Sequence, residues 1–214
     1  KQKHIPPCKQ HTHYIMPMWF SEIVKNTGIP KSSLDYNLAI LAKKGIINRE
    51  KGTIHLDYKT PLCFIFDSPR IPYAYLGLLG ERSERIESET ETAIQLFKDL
   101  GVLFEKIVVA TTHRAVAEWE SLTHLNVEWC LLSDEEISRV NTVEEKVLPR
   151  LVELMRNYRV VMDCTSATKP ATIAYYRLAT LFRVPLIYVY ESRKELIWVI
   201  SREDLKRELI GNSE

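Results

Sequence analysis

The sequence predicts an α/β protein: a doubly wound, mainly parallel sheet preceded by a small basic module. Three observations predict it. From residue 73 onward, short β-branched runs alternate with helical patterns, as in consecutive βαβ units. Formal charge divides the chain: residues 1–70 hold 11 Lys/Arg against 5 Asp/Glu, a net of +6, and residues 71–214 hold 18 against 23, a net of −5. Pro61, Pro69 and Pro72 mark the joint between the two parts. The expected domains are therefore residues 1–70 and 71–214, with different partners.

Composition sets the class. The chain has 214 residues, 45% hydrophobic and 27% charged, an ordinary globular profile with length for one or two cores. No apolar run approaches the roughly 20 residues of a membrane span, so no membrane partner is expected. No secretory leader pattern opens the sequence, whose first residue is Lys1. Cys8, Cys63, Cys130 and Cys164 include no C-x-x-C pair and read as reduced thiols of a cytoplasmic protein.

The first 18 residues show little pattern. His4, Cys8, His11 and His13 match no standard zinc spacing, and the expectation is a solvated lead-in with no metal. Pro6, Pro7 and Pro17 confine any helix there to residues 8–16. Phe20, Ile23 and Val24 then form a short helical face that Ser21 can cap and Gly28 can end, with Ile29-Pro30 as a turn. A second helix is expected over 31–44. Leu34, Leu38 and Leu41 make its buried stripe, and Lys31, Ser32, Ser33, Tyr36, Asn37 and Lys43 its outer face. Gly45 closes it. Runs 46–49 and 53–58, joined by Glu50-Lys51-Gly52, read as a hairpin. This order resembles a winged helix-turn-helix. The resemblance implies binding to double-stranded DNA, with the second helix in the major groove and Lys51 at the wing tip. The lysines would meet phosphates, and Asn37 is the candidate for a base edge. A role in dimerisation or protein contact is the alternative.

Residues 62–66 are an apolar run read as a third β-element or linker strand. Beyond Pro72, strands are expected at 74–79, 106–110, 127–132, 160–163, 186–190 and 196–200. Ser88 with Glu91, Ser133 with Glu136, and Thr142 with Glu145 are three capping boxes opening helices, of which the first runs to about 100 and the third to about 156. Further helices are expected over 115–122, 170–182 and 202–210. The sixth strand follows the fifth too closely for a crossover helix, so that pair should be antiparallel.

In a doubly wound order of 3-2-1-4-5, strands one and four are neighbours, and ligands bind beyond their C-terminal ends. Those ends are Gly80, Glu81, Arg82 and Ser83, and Thr165, Ser166, Ala167, Thr168 and Lys169. Small hydroxyl side chains, helix-start N–H groups and one lysine suit an anion such as phosphate. The plainer alternative is a strand–cap–helix joint with Thr168 as N-cap. Neither G-x-G-x-x-G nor Walker A is present, so no cofactor is implied. No Ser–His–Asp set is visible, and His113 and Arg114 stand either at the crevice border or on the surface.

Gly80-Glu81-Arg82 after strand one and Asp163-Cys164-Thr165-Ser166-Ala167-Thr168-Lys169-Pro170 after strand four together resemble the CARF (CRISPR-associated Rossmann-fold) domain, over about two thirds of the chain. The resemblance implies a Rossmann-like fold, side-by-side homodimers, and a cyclic oligoadenylate ligand, with cyclic tetra-adenylate favoured by its two-fold symmetry. With the winged helix it implies a ligand-gated regulator of transcription in antiviral defence. It leaves two alternatives. One is a ring nuclease that cuts its ligand by metal-independent 2′-OH attack, for which Ser166 and Lys169 would be the catalytic candidates. The other is a dimeric scaffold. The family pattern often has Gly where Ser166 and Ala167 stand, and its familiar regulators place the winged helix last.

Overall fold

The computed structural model describes residues 18–43, 46–65, 71–82 and 86–210, and divides the chain into units Lys1–Asp57 and Tyr58–Glu214. The first unit contains β1 (Met18–Trp19), α1 (Phe20–Thr27), α2 (Lys31–Lys43), β2 (Ile47–Glu50) and β3 (Thr53–Leu56). Its antiparallel sheet has the order β1-β3-β2. Lys51 and Gly52 both take left-handed φ, 46° and 88°, the two-residue turn whose twist matches the flanking strands. Leu34, Leu38 and Ile47 are the buried core, with Phe20, Ile23 and Leu41 packed around it. The expected Ser21 cap is not used. Trp19 pairs with Thr53 as a strand residue, so α1 starts immediately after it and Ser21 falls inside the helix. The Trp19 N–H is met instead by Glu22 Oε2 at 3.0 Å. Gly28 ends α1 at φ 67°, a conformation that costs glycine nothing. His4, Cys8, His11, His13 and Gly45 lie outside the described residues.

The second unit opens with α3 (Leu62–Ile65), followed by β4 (Tyr73–Leu78), α4 (Glu89–Asp99), β5 (Phe104–Thr112), α5 (His113–Glu118), β6 (Glu128–Leu132) and α6 (Asp134–Ile137). Then come α7 (Val140–Asn157), β7 (Arg159–Asp163), α8 (Lys169–Phe182), β8 (Leu186–Tyr190), β9 (Glu195–Ile200) and α9 (Arg202–Ile210). Two 3-10 segments, Glu120–Leu125 and Glu191–Arg193, complete it. The six-stranded sheet has the order β6-β5-β4-β7-β8-β9, and only β9 runs antiparallel to its neighbour. This is the doubly wound α/β arrangement that the sequence predicts, with the antiparallel final pair. Among the described residues no helix is long and apolar enough to cross a membrane.

Three expected elements differ. Residues 62–66 were expected to be extended, but Leu62–Ile65 is a helical turn. Lys59 and Thr60 donate their N–H groups to Met155 O, at 2.8 and 3.2 Å. Thr60 Oγ1 donates to Tyr158 O (2.7 Å) and accepts the Val160 N–H (2.9 Å). These ties bind residues 59–60 to the α7–β7 junction, and a single turn then buries Cys63, Phe64 and Ile65 together. Thr142 does not cap α7, which begins at Val140 with Arg139 as N-cap. The earlier start puts Val140, Val143 and Val147 on one core-facing side. The helix expected over 115–122 breaks at Trp119 into α5 and a 3-10 segment.

Alternation along the strands sorts the core into two layers. Ala74, Leu76 and Leu78 of β4, with Val160 and Met162 of β7, face α7 and α8. Tyr75, Val161, Ile187 and Val189 face the α4 side with Phe97 and Trp119. Gly77 makes room on that second face: a Cβ there would stand 2.4 Å from Tyr75 Cε1. The Tyr75 ring is fully buried and tethered at its hydroxyl, so it cannot swing away. Gly77→Ala is expected to destabilise the protein by about 3 kcal/mol, the upper range for overpacking, measured by equilibrium denaturant unfolding. A change below about 0.5 kcal/mol would show that Tyr75 is free to move.

Candidate functional site

Strand order places the C-terminal ends of β4 and β7 side by side, and one hydrogen bond joins the loops beyond them. Gly80 N–H donates to Ser166 Oγ at 2.8 Å. The approach is close: a Cβ on Gly80 would be 3.1 Å from Ser166 Oγ and 3.2 Å from Ala167 N. Ala167 turns the chain at φ 73°, a left-handed conformation uncommon outside glycine. It is one of the two positions where the resembled family pattern often has Gly. Thr168 caps α8, accepting the Ala171 N–H at 3.3 Å and donating to Ile137 O at 2.7 Å. The loops enclose an open cleft of about 370 Å³.

Beneath the loop sits a polar hub absent from the sequence-level reading. Asp163 is buried at the end of β7. It accepts hydrogen bonds from Tyr75 Oη on Oδ2 (2.6 Å) and from the Thr165 N–H on Oδ1 (2.8 Å). The Thr165 hydroxyl also donates to Oδ1 and accepts the Val189 N–H at 2.7 Å. One carboxyl thus ties β4, β7, β8 and the cleft loop together. Burial pushes its pKa up to about 6, against the opposing effect of the Thr165 and Tyr75 hydrogen bonds. Burial likewise raises Tyr75 well above its ordinary value and pushes the Cys164 thiol up to about 12, so Cys164 is an unreactive core residue. Cys63 and Cys130 are also free and buried.

Of the predicted ligand residues, Gly80, Glu81, Thr165, Ser166, Ala167 and Thr168 line the cleft. Arg82 does not. Its N–H donates to Glu118 Oε2 at 2.8 Å, and its guanidinium lies over the Trp119 ring, 5.5 Å from the centroid. The Trp119 indole N–H donates to Gly80 O at 2.9 Å, so this cluster fixes the first loop from behind. Lys169 is exposed at the first position of α8 and is not among the lining residues, so the cleft holds Ser166 but not its expected partner. Ser83 lies outside the described residues. Arg114 pairs with Glu81 at 3.4 Å, and His113 is exposed.

The lining also includes Glu89, Thr112, Asp134 and Ser138, which sequence reasoning missed. Asp134 and Ser138 follow β6, two strands from the switch point, and reach the cleft because α6 folds back to bond Thr168. No lysine or arginine lines the cleft among the described residues. Nor is any group of three His, Cys, Asp or Glu there placed to hold a metal ion. In the first unit Lys31, Ser32, Ser33, Tyr36, Asn37 and Lys43 all lie exposed on α2, and Lys51 is exposed at the hairpin turn. Asp35, beside them, pairs with Arg49 at 2.7 Å.

No protein-family model matches the chain, and a search of curated proteins gives no significant match. Among solved structures, protein VC1899 from Vibrio cholerae is similar at 12% identity over 61% of this chain and 34% of that one, with a TM-score of 0.47. Can2 from Sulfobacillus thermosulfidooxidans in complex with cyclic tetra-adenylate is similar at 10% identity, over 60% and 35%, with a TM-score of 0.41. Enterococcus italicus Csm6 bound to cyclic hexa-2′-fluoro-hexa-dAMP is similar at 11% identity, over 56% and 34%, with a TM-score of 0.46. The match covers about a third of each of these longer chains. Likenesses at this level assign neither a family nor a function.

The hub makes a pH prediction with a definite sign. Folded Asp163 holds its proton up to about pH 6, whereas the unfolded carboxyl releases it near 4. The stabilisation is complete below about pH 4 and lost as pH rises through about 6. Relative to Asp163→Asn, the wild type should therefore lose about 3 kcal/mol across that window and run parallel above it. Denaturant unfolding across the pH range reads this, and parallel curves throughout would show an unperturbed carboxyl.

Proposed function

We propose that the second unit is a CARF-type nucleotide sensor, taking a cyclic oligoadenylate at the β4–β7 switch point as a homodimer, and that the first unit is a winged helix that binds double-stranded DNA. The observation that carries the sensor reading is the Gly80–Ser166 hydrogen bond. It joins the two motif-bearing loops into one cleft, where an open doubly wound sheet binds its ligands. The volume supports a shared ligand. About 370 Å³ is near the lower end of small-molecule sites, so a ring of several nucleotides calls for two such clefts across a two-fold axis.

The lining chemistry assigns parts of the ligand. Glu81, Glu89 and Asp134 are acceptors and suit the amino group of a base or the hydroxyls of a ribose. Phosphates are left to Lys169 at the rim and to backbone N–H groups of the loop. In the first unit, one exposed helix face carrying Lys31, Ser32, Ser33, Tyr36, Asn37 and Lys43, with Lys51 on the turn, matches a groove-and-wing footprint. Ligand occupancy would act by biasing how two such units are presented to DNA.

Titration calorimetry with cyclic tetra-adenylate tests the sensor. One ring per two chains is expected, and Lys169→Ala should weaken binding about tenfold, or about 1.4 kcal/mol. Absence of heat with every ring size would sink the sensor. For DNA, Lys31→Ala should weaken binding to all sequences and lower the salt dependence by about one unit of slope. Affinity independent of salt would count against DNA as the partner.

A further inference from the structure

Helix α2 carries a second stripe, on the side away from the core of the first unit. Its inner side is Leu34 and Leu38, with Leu41 packed beside them. Ser33, Tyr36, Asn37 and Ile40 follow at i, i+3, i+4 and i+7, the spacing that puts four residues on one helix face, and all four are exposed. Tyr36 is 68% and Ile40 37% exposed, one turn apart on the same face. Asp35, the one acid of α2, stands off this stripe and is paired with Arg49 at 2.7 Å. Lys31 and Lys43 occupy the two ends of the helix.

Such a stripe suits few partners. A lysine at each end and no acid within it favour an anionic surface, in keeping with the net charge of +6 over residues 1–70. The major-groove edges of duplex DNA are polar except at one group, the C5 methyl of thymine. An exposed tyrosine ring and an isoleucine fit that methyl. Asn37, between them, fits adenine, whose N6 and N7 a side-chain amide can bond as a pair. Arginine and lysine, the usual readers of guanine, are absent from the stripe. Three of its four residues therefore favour the same base pair, and the fourth, Ser33, tolerates any.

We infer that this stripe selects A·T base pairs, with Asn37 on an adenine edge and Tyr36 and Ile40 packed on thymine methyls. The inference rests on the proposal that the first unit binds duplex DNA, and deepens it. Lysines on phosphates hold a protein to any sequence, and contacts to base edges supply the choice. Burying one methyl group changes affinity by about fourfold, so two such contacts give a preference that a binding assay resolves.

Selection of the full chain against a random-sequence duplex pool, followed by removal of the methyls, tests the inference. A·T pairs should dominate neighbouring positions of the retained duplexes. Replacing thymidine by deoxyuridine in the tightest duplex keeps every Watson–Crick bond and removes only the methyl. It should weaken binding by about fourfold at each contacted position. Ile40→Ser should lose part of the preference for thymidine over deoxyuridine and keep the wild-type salt dependence, because no phosphate contact changes. Should Ile40→Ser fail to fold, Tyr36→Ser reads the same ratio. Retained duplexes dominated by G·C pairs, equal affinity for the thymidine and deoxyuridine duplexes, or an Ile40→Ser protein with the full wild-type preference overturns the inference and leaves DNA binding in place. A chain that retains no duplex removes DNA as the partner, and the inference with it.

Discussion

The buried carboxyl of Asp163 is the point on which the cleft depends. Its oxygens are met by the Tyr75 hydroxyl and by the N–H and hydroxyl of Thr165. Those donors come from a neighbouring strand and from the loop just beyond Asp163 itself. A buried group of this kind is costly unless each of its polar atoms is satisfied. The position of the loop is therefore coupled to the packing of the sheet. Gly77 belongs to the same constraint, since the Tyr75 ring reaches Asp163 through the space a side chain at 77 would fill.

Around this hub the two loops are held by different means. Residues 164–168 are fixed from within, through Asp163, the cap at Thr168 and the reach of Thr168 to Ile137. Residues 80–82 are fixed from behind, through Trp119 on Gly80 O and Glu118 on the Arg82 N–H. The result is a cleft lined by hydroxyl side chains and the carboxylates of Glu81, Glu89 and Asp134, with no lysine or arginine on its described walls. Thr168 is the helix cap that the plainer reading of the sequence offers, and it lines the cleft as well. Capping and site formation are one arrangement here.

The fold was largely legible. Strand periodicity, two capping boxes and the five-residue gap before β9 together yield the strand–helix alternation and the antiparallel final pair, and the sheet order follows from the doubly wound class. What escaped has identifiable physical causes. The apolar run 62–66 carries no periodicity that separates strand from helix, and its backbone is claimed by Met155 and Tyr158, far away in sequence. Thr142-x-x-Glu145 satisfies the capping pattern, but the helix starts earlier, at Val140, which packs partly buried against the core. In the site, the small loop residues were identified because their types are unusual after an apolar strand. Asp134, Ser138 and Glu89 were missed because nothing local marks them: they arrive through the fold-back of α6 and the start of α4. Arg82 was assigned to the ligand by its charge, whereas its backbone and ring contacts turn it to Trp119.

Thr165 has one hydroxyl proton and two lone pairs. One lone pair takes the Val189 N–H, and the proton goes to Asp163 as long as that carboxyl is ionised. In that state the hydroxyl has no proton to offer the cleft. Once Asp163 carries a proton, near or below pH 6, the acid can donate to Thr165 instead, and the threonine proton is freed from that bond. Within the hub, protonation of the acid thus reverses one hydrogen bond and leaves the backbone where it is.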